Sequence, residues 1–444
     1  MRRYLTMALL ASSVGLAACD LDTTNPNAPT QETVVSDVEG LMALGVGLQA
    51  RFGTSTGNFI YSAGLLTMEL GAIGTAFSTI SDAEGGTVPP GAAITGDVWA
   101  SSYRTVKTAN DIIFNADNVV MPRGTRSGLL GLAYLFKAGA LGELLQSYEE
   151  LPIHTYNTPT PEFVDRTTAL AYVLALLDSA QLAYADTTPS AQFTTNVLAT
   201  GLNIPNTILA YKARYRRLAG NWAGALAAAD SVSRTVFSVL QFSTTTPNPL
   251  FNVSTGSSGV LPRDTLRTSD PTEAQRMAYF VTAANIAGRI GTPLDNWAVF
   301  AANTSPIPTY YPDEVLLIKA EALVRLSRAA EAQAVLDSVR TDCPGAGRVA
   351  TDPGPCLAPL GGVLTATQLL AEIYRNRRYE LFATGLGWED LRRRGLVGAT
   401  SLAKRCWLPY PVGERNANPG NVPPDPEGTE PPADNDACVS LVIP

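Results

Sequence analysis

"LLIKAEALVRLSRAAEAQAVLDSVR" occupies residues 316–340. Apolar side chains recur at three- and four-residue spacing, the period of a helix with one buried face. Ser327 and Arg328 interrupt the pattern and an Ala-rich segment follows, so the stretch reads as two helices joined by a tight polar turn. Alanines let the two axes approach closely. An echo lies upstream. "LAYKARYRRLAGNWAGALAAADSVSR", residues 209–234, also runs Lys-Ala, Leu, a small polar turn and an Ala-rich helix ending Asp-Ser-Val. The two copies align with a one-residue slip. Self-similar helix–turn–helix units are the mark of tetratricopeptide-like stacking. Two unrelated Ala-rich hairpins would give the same short match, and the sequence alone does not separate the two cases.

The rest of the chain supports helices around this pair. "RSGLLGLAYLFKAGALGELLQSY" (126–148) is apolar enough to be a buried helix, and "TTALAYVLALLDSAQLAYA" (167–185) predicts another. "DVEGLMALGVGLQARF" (37–52) has helical spacing weakened by glycines. "DVWASSYRTVKTANDIIFNAD" (97–117) puts Trp99, Tyr103, Val106 and Ile113 near one face. Between these lie irregular stretches at 71–96, 240–312, 341–364 and 413–437, rich in Gly, Ser, Thr, Pro or Asn. The expected fold class is all-α, a scaffold of tetratricopeptide-like helix pairs with long irregular loops. Loops of such length are more often functional than idle.

The N-terminus predicts an export signal over residues 1–18. Arg2 and Arg3 precede an apolar run too short to span a bilayer. The run closes on "LAAC", Leu16–Cys19, which resembles a bacterial lipobox. Cleavage would leave Cys19 first in the chain, carrying acyl chains such as palmitate, and more than one chain is what stable anchoring requires. Residues 19–35, polar and broken by Pro and Asn, predict a flexible tether, and 36–444 a single domain. Setting Cys19 aside leaves Cys343, Cys356, Cys406 and Cys438. In an oxidising compartment these predict two disulfides. Three connectivities are open; Cys343–Cys356 and Cys406–Cys438 are favoured because each closes a local Gly- or Pro-rich loop. The shorter loop would stabilise the fold by roughly 3 kcal/mol.

Several chemistries are excluded. The net charge of −8 does not attract nucleic acid. No phosphate-cradling glycine loop or HExxH is present, and the only histidine, His154, stands alone. No metal, cofactor or catalytic residue is expected. Binding is favoured over catalysis, although a carboxylate pair acting as in a glycoside hydrolase cannot be read in or out of a sequence.

One stretch departs from the charge-poor background, where only 16% of residues are charged. "RNRRYELFATGLGWEDLRRRG", 375–395, concentrates six arginines and three carboxylates. Thr365 and Gln368 predict a capping box for the helix that leads into it. Leu370, Ile373, Tyr374 and Leu381 are expected on one apolar stripe, with Arg377 and Glu380 paired on the neighbouring face. Gly385 and Gly387 are expected to break the helix before "WEDLRRRG" restarts it. The segment then reads as a helical corner clamped by ion pairs, or as a merely solvated charged face.

This stretch resembles the C-terminal signature of the RagB/SusD family of surface lipoproteins. It matches at Arg375, Arg377, Glu380, Leu381, Gly385, Asp390, Leu391, Arg393 and Gly395. It departs at Asn376, where an acid is usual, at Thr384, where the family has Glu, and at Gly387, where it has Arg. "LPYPVGERNANPG", "YYPDEVLLIKAEALVRL", "VWASSYRTVKTAND", "SYEELPI" and "CDLDTTNP" resemble other family segments in the same order. The resemblance implies a non-enzymatic lipoprotein of the outer membrane, facing outside. It would capture an oligosaccharide or other nutrient for a TonB-dependent transporter. The rival from another class is a lipid-anchored tetratricopeptide scaffold that binds proteins. Glycan recognition favours flat aromatic faces with a few polar groups. Loop-rich segments offer Phe77, Trp99, Trp297, Tyr310 and Tyr311, for each of which core packing is the competing role.

Overall fold

The structure, a computed structural model, describes residues 31–255, 258–343 and 353–432. Cys19 with its lipobox, and Cys438, lie outside the described residues.

A short helix α1 (Gln31–Val34) leads into α2 (Val38–Leu66), N-capped by Asp37, whose carboxylate accepts the Gly40 N–H at 2.7 Å. The glycines that weaken this helix on paper are contact points. A Cβ on Gly57 would stand 2.6 Å from the Pro249 ring. After α3 (Ser78–Glu84) come α4 (Ala93–Asn115), α5 (Arg123–Ser147), α6 (Arg166–Ala185) and α7 (Ala191–Asn196). Helix α5 packs against α2, α4 and α6 and is buried almost all round, as its apolar composition predicts.

The two copies of the echo are both helical hairpins: α8 (Ile204–Leu218) with α9 (Trp222–Ser231), and, beyond the short helices α10 (Pro249–Thr255), α11 (Thr265–Ser269) and α12 (Ala274–Phe280), α13 (Pro312–Arg325) with α14 (Ala329–Arg340). They stack through α9 on α13, and α15 (Ala366–Glu380) continues the array on α13. Alanines at the seam, Ala210, Ala213, Ala225, Ala320 and Ala322, are buried in a second hydrophobic cluster beside the larger one built on α2–α7. Helices α16 (Leu386–Arg393) and α17 (Val412–Ala417) close the order.

The stretches read as irregular hold short antiparallel ladders: β1 (Leu70–Ala72) with β3 (Val260–Pro262), β2 (Val239–Leu240) with β6 (Ile307–Pro308), and β4 (Val281–Ile286) with β5 (Leu294–Trp297). The first ties the end of α2 to a segment nearly two hundred residues away. Cys343 and Cys356 are bonded, with Cα atoms 4.5 Å apart. Cys406 also stands in a disulfide.

Candidate functional site

The charge-dense corner is formed by α15 and α16. Thr365 and Gln368 make the expected capping box. Gly385, at φ +78°, makes the break; Gly387 instead lies inside α16. The buried stripe runs through Leu369, Ile373 and Tyr374, and Leu370 is only half-buried. The stripe is displaced because polar residues share it: Arg377, Glu380, Asp390 and Arg393 are all buried.

Arg377 and Glu380 do not pair with each other. Each turns inward and meets an opposite charge from another element. Arg377 Nε reaches Asp390 at 2.6 Å, and Glu380 lies 3.2 Å from Arg276 Nε. Arg217 on α8 bridges Glu321 on α13 at 2.5 Å and Asp390 at 2.7 Å. Arg393 and the Tyr374 hydroxyl donate to the other Glu321 oxygen at 3.0 and 3.1 Å. Burial pushes the Glu321 carboxyl up, but Arg217, Arg393 and Arg377 outweigh it and hold the group at about 2. Asp390 is likewise held well below the usual range against burial, chiefly by Arg217 and Arg377. Toward the surface, Arg375 pairs with Asp270 at 2.6 Å and Glu273 at 2.9 Å. The charges therefore form an interior network that joins three helices of the scaffold to α16.

The other side of the same corner is different. A cavity of about 310 Å³ lies between the end of α2, the β3–α11 segment, α15–α16 and residues 400–404. Leu266, Phe382, Leu391 and Leu402 give it apolar walls. The Glu69 carboxylate lines it. Burial pushes this group up to about 7, against the Ala383 amide and the Arg378 guanidinium, which pull it down. Its Oε2 accepts from Ala383 N–H at 3.1 Å, while its Oε1 is 2.7 Å from where a Gly387 Cβ would stand. Arg378 and Arg394 also line the cavity. Neither has a carboxylate within 4 Å among the described residues, and Arg394 lies over the Tyr374 ring at 5.1 Å. Asp390, the second carboxylate of the lining, has both oxygens held by Arg217 and Arg377.

The aromatic candidates divide. Trp99 sits in a cluster with Tyr103, Tyr148 and Phe163, its Nε1–H donating to Glu414 at 3.2 Å. The Tyr310 hydroxyl is held by Asn206 and Val236, and Tyr311 packs on Phe237, Tyr279 and Phe280. These three rings lie in the core. Trp297 is also largely buried, against Phe300 and Phe382, but lines an open cleft with Ile73, Phe300, Asn296, Ser254 and Thr255. Phe77 is 61% exposed. Its loop is tied to the β4–β5 turn: Gly74 N–H donates to Ala287 O at 3.2 Å, Arg289 N–H to Ala72 O at 2.8 Å, and the Arg289 side chain to Ala76 O. Ile290, 44% exposed, sits on that same turn. The structure thus leaves Phe77 exposed on a loop tied to the β4–β5 turn, puts Trp297 at an open cleft that the same loop edges with Ile73, and leaves the other three rings inside. Among the described residues no cluster of three or more His, Cys, Asp or Glu is placed to hold a metal.

Residues 313–410 match the model of the SusD family. The whole fold also has counterparts among solved structures. A SusD/RagB family protein from Bacteroides thetaiotaomicron VPI-5482 superposes with a TM-score of 0.64 at 16% identity, covering 85% of this chain and 94% of its own. The C-terminal segment thus matches the SusD family, and the fold is like that of solved SusD/RagB proteins. A protein from Bacteroides vulgatus ATCC 8482 titled a putative sugar binding protein gives a TM-score of 0.66 at 15% identity, covering 88% and 98%. A SusD-like carbohydrate binding protein from the same organism gives 0.62 at 14%, covering 80% and 83%. No curated protein matches. Within this SusD-like fold, sequence reasoning missed the cavity residues Glu69, Arg378 and Arg394. The available signal was Gly387, where the signature has an arginine; its missing side chain leaves the space before Glu69 open.

Proposed function

We propose that the chain is a surface lipoprotein, anchored through Cys19 in the outer membrane. It captures an oligosaccharide or related nutrient and passes it to a TonB-dependent transporter. The observation that carries the reading is the loop face. Backbone hydrogen bonds tie the loop that carries the exposed Phe77 ring to the β4–β5 turn, and Ile73 of that loop edges a cleft of about 420 Å³ together with Trp297, Asn296, Ser254 and Thr255. A flat apolar face with hydroxyl- and amide-bearing neighbours suits a sugar ring. Two fold neighbours described as sugar- or carbohydrate-binding support the same ligand class. A protein-binding scaffold has no comparable support, since the faces at which the helical hairpins stack are covered by neighbouring helices.

Two measurements test the reading. A glycan array probed with the full chain and with Phe77→Ala should show binding that the substitution weakens about tenfold, the scale of one lost stacking contact; no binding to any glycan sinks the ligand class. Affinity purification from native membranes should recover a transporter barrel in stoichiometric amount, and recovery alone or with inner-membrane proteins sinks the partner.

A further inference from the structure

The cavity on the outer side of the corner shares no residue with the loop cleft. Its charges are arranged in an unusual way for this molecule. Elsewhere in the corner each carboxylate is met by an arginine at 2.5–3.2 Å. Here, among the described residues, Glu69 accepts a hydrogen bond only from the Ala383 amide while Arg378 attracts it from farther off, and neither Arg378 nor Arg394 has a carboxylate within 4 Å. A simple anion would meet the Glu69 carboxylate, and a simple cation would meet the Arg378 and Arg394 guanidiniums and Lys404. A molecule carrying both charges satisfies all three groups, and Leu266, Phe382, Leu391 and Leu402 offer a wall for an aliphatic or aromatic side chain. The volume lies at the small end of ligand pockets, which run from about 300 Å³. We propose that this cavity is a second binding site, for a small zwitterion: an apolar amino acid whose ammonium faces Glu69 and whose carboxylate meets Arg378 and Arg394.

Titration calorimetry on the full chain tests this with leucine, methionine and phenylalanine, together with two truncated forms of leucine. Isopentylamine lacks the carboxylate and 4-methylpentanoate lacks the amine. At least one amino acid should bind, and removing either charge from leucine or its best-binding counterpart should weaken binding about tenfold or more, as expected for a lost charge-assisted hydrogen bond. Glu69→Gln should cause a loss of similar size. Gly387→Arg should abolish binding while the protein stays folded, because it places a tethered guanidinium in front of Glu69. Phe77→Ala should leave the amino-acid affinity unchanged, which separates this site from the loop face. Silence from all three amino acids overturns the proposal. So does equal binding of the carboxylate without its amine, which would mark a plain anion site, and so does retained binding in Gly387→Arg.

Discussion

Helices α15 and α16 have two faces built from the same residue types, and they have opposite characters. On the inner face Arg377, Arg393, Glu380 and Asp390 are buried and matched by Arg217, Glu321 and Arg276. On the outer face Arg378 and Arg394, each one position away from a buried arginine, have no carboxylate within 4 Å among the described residues, and Glu69 beside them feels Arg378 only at longer range. The difference teaches how to read charge in this chain. Matched charge holds the scaffold together, and unmatched charge around a cavity awaits a ligand.

The sharpest way to break the comparison is Glu321→Ala. It leaves Arg217 and Arg393 buried with one acid fewer, and removing one partner of a buried network destabilises by about 3–5 kcal/mol. Chemical denaturation should show that loss; a change below about 1 kcal/mol would mean that the inner face is no clamp.

Acid should attack the same face. Glu321, and the buried Glu389 of α16, which meets Arg166 at 2.8 Å and Arg392 at 2.7 Å, are both held at about 2, below their unfolded values. Their contribution is present above the ordinary carboxylate range and is lost as pH falls toward 2. Glu143 has the opposite sign. Burial pushes it up to about 8, although the Ser55 and Thr56 hydroxyls donate to it. Its penalty grows as pH rises from the carboxylate range to 8. Melting temperature against pH should therefore rise from pH 2 to 5, and Glu143→Gln should flatten the decline toward pH 8. A Glu143→Gln profile parallel to that of the unsubstituted chain would sink this assignment.

Gly385→Ala tests the turn between the two faces. A side chain at φ +78° is strained by about 1–2 kcal/mol, and the new Cβ would also meet the Phe59 ring. Arg378→Ala is expected to do least, within about 0.5 kcal/mol, because an exposed cation without an ion pair holds nothing together. If Arg378→Ala destabilised the fold as much as Glu321→Ala, the two faces would not differ in kind.

The sequence made the scaffold legible and the corner only partly so. Alanine spacing in the two hairpins announced their stacking because close approach needs small residues at fixed period. The capping box at Thr365 was equally local. The pairing of Arg377 was not. Neighbours at three-residue spacing pointed to Glu380, yet Asp390 and Arg276 lie nearer once the chain turns at Gly385, and no local rule contains that turn's outcome. The aromatic rings show the same limit. Phe77, Tyr310 and Tyr311 all sit in Pro-, Ser- or Thr-rich stretches, but Tyr311 begins α13 at a core seam whereas Phe77 tops a loop. Glu69 was invisible because its meaning depends on Gly387, more than three hundred residues away.

Arg217 brings time into the matter. Its two acids, Glu321 and Asp390, follow it by 104 and 173 residues. At about 5–20 residues per second, roughly ten to thirty seconds of synthesis separate the arginine from its last counter-ion. Until Glu321 is made α8 can be buried only with an uncompensated cation, and the pairing is complete only when the final stretch supplies Asp390.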